Sequence, residues 1–302
     1  MRVAAIDCGT NSIRLLIADV QGGTVRDVTR VMTVVRLGEG VDVSGRLSSP
    51  ALTRTWAAVA DYAAQIDAAG VQRVRMVATS ASRDAANADE FVAGVVSRLG
   101  QAPEVISGDE EAQLSFHGAR SVLDLPGQVL VVDIGGGSTE FVVGDAVVSS
   151  ARSVDIGCVR MTERHLRDDP PSREQIRAAT ADIDAAVATA AATTHFEQAD
   201  HFIGVAGSVT TVAALAMGLP EYDSQRIHGA RISAVDVRAV TSRMLRATRA
   251  QRAAEPVMHP GRVDVIGGGA LVLDRIMAAG GFAEVIVSEH DILDGMVLDL
   301  AQ

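Results

Sequence analysis

Two stretches of this chain end an apolar run on an aspartate and follow it with glycines and hydroxyls. The first is Val3-Ala4-Ala5-Ile6-Asp7-Cys8-Gly9-Thr10-Asn11-Ser12, continuing into Ile13-Arg14-Leu15-Leu16-Ile17. The second is Leu130-Val131-Val132-Asp133-Ile134-Gly135-Gly136-Gly137-Ser138-Thr139-Glu140, continuing into Phe141-Val142-Val143. β-Branched and aliphatic flanks make each a strand, a tight turn and a second strand. Glycines let the backbone take positive φ and come close to a ligand. Successive N–H groups in such a turn form an anion-binding nest, and an aspartate at the strand end can hold a hydrated divalent cation. A chain that builds this device twice is expected to grip a phosphate chain between two lobes. A dinucleotide fingerprint is the competing reading, but that motif opens a helix and its acidic residue follows the glycines. Here the aspartate precedes them and the chain continues as strand.

The elements around these loops alternate. Strands are expected near 3–8, 12–19 and 24–36, then a helix from Ser49-Pro50 through Ile66, with Ser49 as its cap. A buried strand at 71–78 leads through Ser80-Ala81-Ser82-Arg83-Asp84-Ala85 into one helix, with another at 89–99 and a short strand near 102–106. Further helices are expected at 109–123, 158–167, 172–194 and 233–252, and a strand at 201–205 opens a helix through Gly207-Ser208. Gly267-Gly268-Gly269 falls inside a helical pattern at 263–279, an expensive placement unless the backbone must lie close to something. A strand at 284–287 and a helix at 291–300 close the chain. This alternation predicts α/β architecture with helix-covered sheets. The expected domains are 1–120, joined by the C-terminal helix 289–302, and 121–288, each with its own core.

At 302 residues, 48% of them hydrophobic, the chain is globular. No apolar run reaches membrane-spanning length and no signal peptide precedes the first strand, so a cytoplasmic protein with no membrane partner is expected. All 27 basic residues are arginine. A lysine-bearing P-loop is therefore impossible, and phosphate must be held by arginine, backbone N–H groups and metal. The net charge of −11 argues against a nucleic-acid partner. Cys8 and Cys158 are too few for a disulfide framework and are read as packing residues. The seven histidines show no metal-ligand spacing; His117 and His165 are read as structural or surface residues.

The Asp-x-Gly-x-Asn-Ser segment, the Asp-Ile-Gly-Gly-Gly-Ser-Thr-Glu segment and the later Gly204-Val205-Ala206-Gly207-Ser208 occur in an order that resembles actin/Hsp70/sugar-kinase proteins. More narrowly, the chain is similar to the exopolyphosphatase/guanosine pentaphosphate phosphatase (Ppx/GppA) family. Ala78-Thr79-Ser80-Ala81-Ser82-Arg83-Asp84-Ala85, Ile106-Ser107-Gly108-Asp109-Glu110-Glu111-Ala112 and Val154-Asp155-Ile156-Gly157-Cys158-Val159-Arg160 carry that resemblance. It implies two actin-like (ribonuclease H-like) domains with an interdomain cleft. The chain ends where longer members continue into a helical domain, so the short two-domain type is implied.

The resemblance also implies roles. Glu111 matches the family's water-activating base. Helical geometry supports the choice: Ala112, Ser115, Phe116, Ala119, Val122 and Leu123 form one stripe, which Glu111 flanks by about 90° while Glu110 lies nearly opposite. Asp7, Asp133 and Glu140 would hold Mg2+ (or Mn2+) or its waters, although Glu140 could instead point to solvent from its hairpin. Thr10, Asn11, Ser12, Gly135, Gly136, Gly137, Ser138 and Thr139 would offer N–H and hydroxyl donors to phosphate. Gly207 and Ser208, at a helix N-terminus, would offer another anion site. Arg83 matches the family's arginine and is the expected side-chain phosphate clamp, with a surface ion pair as its alternative.

The leading expectation is a Mg2+-dependent exopolyphosphatase acting on inorganic polyphosphate, with short chains favoured. The same chemistry on guanosine pentaphosphate is the nearest alternative, with a stringent-response role. An ATP-dependent kinase or ATPase, its adenosine against Gly267–Gly269, and a non-catalytic ppGpp-binding sensor are the others. A homodimer is implied by resemblance alone.

Overall fold

The computed structural model describes residues 1–123 and 125–301, and the chain divides into two compact units, 1–118 with 290–302, and 119–289. In the first unit β1 (Arg2–Cys8), β2 (Ser12–Gln21), β3 (Thr24–Val34), β4 (Arg73–Ala78) and β5 (Glu104–Val105) form a sheet ordered β3-β2-β1-β4-β5. The β1–β2–β3 pairs are antiparallel, and β4 and β5 add in parallel. Strand alternation sorts β1 onto two faces. Ala4, Ile6 and Cys8 join Ile13, Leu15 and Tyr62 in one core, while Val3 and Ala5 join Leu16, Val77, Leu114, Leu293 and Met296 in the other. The helices are α1 (Val41–Ser44), α2 (Ser49–Ala69), α3 (Ser80–Asp84), α4 (Ala88–Leu99), α5 (Gly108–Arg120) and the C-terminal helix (Ile292–Leu300).

Helix α2 shows how the sequence sets these elements. Its buried residues Ala51, Leu52, Thr55, Ala58, Val59, Tyr62 and Ile66 recur every three or four positions, and Gly70 ends it in the left-handed region at φ 64°. The cap is Ser48 rather than Ser49: its side chain accepts the N–H of Ala51, worth about 1 kcal/mol.

The second unit repeats the design. β6 (Val129–Ile134), β7 (Thr139–Gly144), β8 (Val148–Val154), β9 (His201–Val205), β10 (Arg231–Ser233) and β11 (Glu284–Val287) are ordered β10-β11-β9-β6-β7-β8. Read from the other edge this is the first sheet's order with one added strand, the duplicated ribonuclease H-like arrangement of actin-type folds. Helices α6 (Cys158–Arg164), α7 (Arg173–Thr194), α8 (Ala206–Ala216), α9 (Ser224–Ile227), α10 (Ala234–Arg246), α11 (Arg249–Ala253) and α12 (Ile266–Gly280) accompany it. The helix expected over 233–252 is two, because Thr248 and Gln251 form a capping box that starts α11.

The triple glycine of α12 lies against protein. A Cβ on Gly268 would meet the Cys158 carbonyl at 2.8 Å, and one on Gly269 would fall on Ser208. Those residues seat Gly268 and Gly269 against α6 and the start of α8, so helix packing accounts for the absent side chains at those two positions. Among the described residues no helix is long and apolar enough to cross a membrane.

Candidate functional site

In the first unit β1 and β2 meet in a turn that the Gly9 N–H closes by donating to the Ser12 carbonyl (3.0 Å). The inner carbonyls are tied away: Asn11 O accepts from Val35 N (3.0 Å) and Arg36 N (2.8 Å), and Thr10 O accepts from Gly38 N (2.9 Å). A Cβ at Gly38 would collide with the Thr10 side chain, so this strap needs glycine. Its inner carbonyls are thus bound into the scaffold, a form compatible with the anion nest expected here. The Thr10 hydroxyl shares a hydrogen bond with the Ser80 hydroxyl at 2.8 Å. The amide oxygen Oδ1 of Asn11 is buried and has no hydrogen-bond partner among the described residues.

Asp7, next to last in β1, is the partner of Arg14 across the ladder. Arg14 donates Nε (3.0 Å) and Nη2 (2.7 Å) to the single oxygen Oδ2 of Asp7, and Nη1 to Oδ2 of Asp291. Burial pushes the Asp7 carboxyl up and outweighs the opposing pull of Arg14, with the Asp291 charge adding to the rise. The expected metal ligand therefore already carries an arginine on one oxygen.

Helix α5 delivers Glu111. It is 9% exposed, on the buried side of the helix, while Glu110 is partly exposed and paired with Arg75 (2.8 Å). Arg83, in α3, donates Nη1 to the Ile106 carbonyl (2.8 Å) and stands 3.5 Å from Oε2 of Glu111. The structure thus brings the expected clamp and the expected base together, and Arg83 is partly buried rather than a surface group.

The second unit builds its loop the same way. Gly135 N–H closes the turn on Ser138 O (3.1 Å). Gly135 O accepts from Cys158 N, Gly136 O from Val159 N and Arg160 N, and Gly137 O from the Nε of Arg160 (2.7 Å). The first turn of α6 thus consumes three carbonyls of the loop. A Cβ at Gly157 would strike the Gly136–Gly137 peptide, so only glycine lets α6 come this close. Two expected donors are spent otherwise: the Gly135 N–H in closing the turn, and the Thr139 hydroxyl on the Ile156 carbonyl. Gly136, Gly137 and the buried Ser138 make up the rest of the turn.

Asp133 and Glu140 are direct partners across the β6–β7 ladder, so their side chains share one face. Glu140 is wholly buried, against the expectation that it could point to solvent, and its Oε1 accepts from the Ser153 hydroxyl (2.8 Å). Among the described residues no group of three His, Cys, Asp or Glu is placed to hold a metal ion. Two adjacent buried carboxylates are a fitting donor set for a hard cation that keeps several waters. Gly207 and Ser208 lie in the first turn of α8, where Arg262 donates Nη1 to the Gly207 carbonyl (2.7 Å) and to the Thr211 hydroxyl (2.8 Å).

Cys8 and Cys158 are both buried, and burial pushes their thiols up, so neither is activated. His165 pairs with Asp182 (2.8 Å), while His117 is exposed. Arg14, Asp291, Arg262 and Ser153 were not singled out from the sequence. Arg14 was within reach: it lies seven residues after Asp7, as Glu140 lies seven after Asp133.

The chain as a whole is similar to proteins of known kind. Exopolyphosphatase 2 of Mycobacterium tuberculosis is 48% identical over 314 residues, covering 99% of this chain and 98% of that one. The crystal structure of an exopolyphosphatase-like protein, 46% identical, superposes with a TM-score of 0.96 over 99% of this chain and 97% of that one. The Aquifex aeolicus Ppx/GppA structure is 29% identical with a TM-score of 0.84, covering 100% and 97%. The model of the Ppx/GppA phosphatase family matches residues 16–302, and the chain belongs to that family of phosphatases.

Proposed function

We propose that this protein is an exopolyphosphatase that removes the terminal phosphate of inorganic polyphosphate, short chains preferred, with Glu111 activating the attacking water. The observation that carries the reading is the doubled turn, each copy with its carbonyls bound to scaffold N–H groups. Such turns suit a ligand made of repeated phosphates. The likeness to the Mycobacterium tuberculosis exopolyphosphatase over nearly the whole of both chains supports the same substrate.

In this reading Glu111 takes a proton from water as the water oxygen bonds to the terminal phosphorus. The bridging P–O bond breaks, and the shortened chain leaves with the bond's electron pair on its oxygen. Arg83 holds Glu111 in place and adds positive charge beside the terminal phosphate. The turns at 9–12 and 135–138 bind phosphate oxygens. Asp133 and Glu140 would hold Mg2+, which supplies charge neutralisation on the phosphates when bound.

The test is phosphate release from short polyphosphate, long polyphosphate and guanosine pentaphosphate with Mg2+. Glu111→Gln should lower kcat by about 10²–10⁴ with little change in KM. Equal turnover by Glu111→Gln and wild type would remove the base assignment. Faster release from guanosine pentaphosphate than from any polyphosphate would change the substrate.

A further inference from the structure

Arginine and carboxylate normally meet as a fork, two parallel N–H groups on two oxygens. Arg14 and Asp7 do not: both inward N–H groups of the guanidinium fall on Oδ2 of Asp7, leaving Oδ1 outside the pair. The reason lies on the far side of the guanidinium, where Nη1 is held by Asp291. That third bond fixes the rotation of the guanidinium plane, and with it which oxygen of Asp7 is covered.

Asp291 is itself rigidly placed. It is 4% exposed and caps the C-terminal helix, its side chain accepting the Leu293 N–H (3.1 Å) while Asp294 returns to the Asp291 N–H (3.0 Å). Its carbonyl packs against α5, where a Cβ at Gly118 would overlap it, and a Cβ at Gly295 would overlap the Leu114 carbonyl. Bare glycine backbone on both helices brings the capped end of one against the helix that carries Glu111. Asp291 thereby ties Arg14 to the helix of the water-activating residue.

We infer that Asp291 is a positioning residue of the hydrolytic site: by holding Nη1 of Arg14 it keeps the guanidinium on one oxygen of Asp7 and preserves the other for catalysis. Without that hold, Arg14 swings into a two-oxygen fork and withdraws Asp7. The inference rests on the hydrolase reading for its assay, though not on which phosphoanhydride is cleaved.

The experiment is a double-mutant cycle on the full chain, using whichever phosphoanhydride the wild type hydrolyses fastest. Asp291→Ser keeps a good helix cap but cannot reach Arg14. It should lower kcat about tenfold with KM changed less than about twofold. Asp291→Asn, which can still accept from Arg14, should restore most of the rate. In an Arg14→Gln background Asp291→Ser should cost nothing further, because the group through which it acts is gone. An equal loss in both backgrounds, failure of Asn to rescue, or no loss in the first background would each overturn the inference. The wild-type substrate panel judges the exopolyphosphatase reading separately, so the two can fail independently.

Discussion

The two loops share a backbone and differ in what stands across from their aspartates. Each is closed by one glycine N–H on a serine carbonyl, and each has its inner carbonyls tied into neighbouring chain. Opposite Asp7 stands Arg14, held by Asp291; opposite Asp133 stands Glu140, held by Ser153. One copy sets an arginine across from its aspartate and the other sets a second carboxylic acid there. A buried ion pair is costly to break because its partner is left uncompensated. Two carboxylic acids side by side on one buried face are a donor set that suits a hard cation. The first loop thus has the arrangement that holds a fold together, and the second the arrangement that the proposed function uses to hold a cation.

Single substitutions can break that contrast. Glu140→Gln should lose at least about a hundredfold in kcat, while its unfolding midpoint without metal changes little because the amide oxygen can still accept from Ser153. Arg14→Gln should do the reverse in stability, costing about 3 kcal/mol in urea unfolding, since Asp7 and Asp291 lose their shared cation. If the two variants melted alike, the division of labour between the loops would be wrong.

Gly157→Ala sharpens the comparison from the backbone side. The added methyl must displace the Gly136–Gly137 peptide, so phosphate release should fall about tenfold, mainly through KM, with a loss of about 1–3 kcal/mol. An unchanged KM would mean that the second loop does not need its α6 contact.

The smallest effect belongs to the group behind the first loop. His290 is raised above its ordinary range by its bond to Asp294 (2.8 Å), and Asp294 is held down to about 2 by His290 and Arg30. The histidine contribution is fully present below its unfolded value near 6.5 and is lost as pH rises through its higher folded value. The aspartate contribution is present above about pH 4 and is lost as pH falls toward 2. Melting between pH 6 and 9 should therefore show a decline on the order of 2 °C that His290→Asn removes. A flat profile in the wild type would take His290 out of the cluster's electrostatics.

Much of this was legible in the chain itself. The strand–turn–strand pattern appears twice because β-branched runs and glycine turns are local signals. The buried side of α5 follows from helical periodicity, which put Glu111 and Glu110 on different faces. Strand β8 was missed because it is an edge strand of mostly half-exposed residues, Val148 to Val154 with three serines and an arginine among them. The break before Thr248 was hidden by uninterrupted helix formers on either side. Arg14 and Asp291 are 277 residues apart, and no local pattern reports a pairing of that separation. Nor could the sequence say what stands beside Gly268 and Gly269, since a packed helix and a ligand ask for the same absent side chain.

One consequence follows from α6 taking the carbonyls of the second loop. The helix is seven residues long, and its first three N–H groups are the other halves of the loop's hydrogen bonds. It works as a short lever with the loop at its end: anything that tilts α6 turns the loop peptides bonded to it, and with them the phosphate contacts proposed above. Slow amide exchange at Val159 and Arg160 would then report the state of the loop, read from a helix that need never touch the ligand.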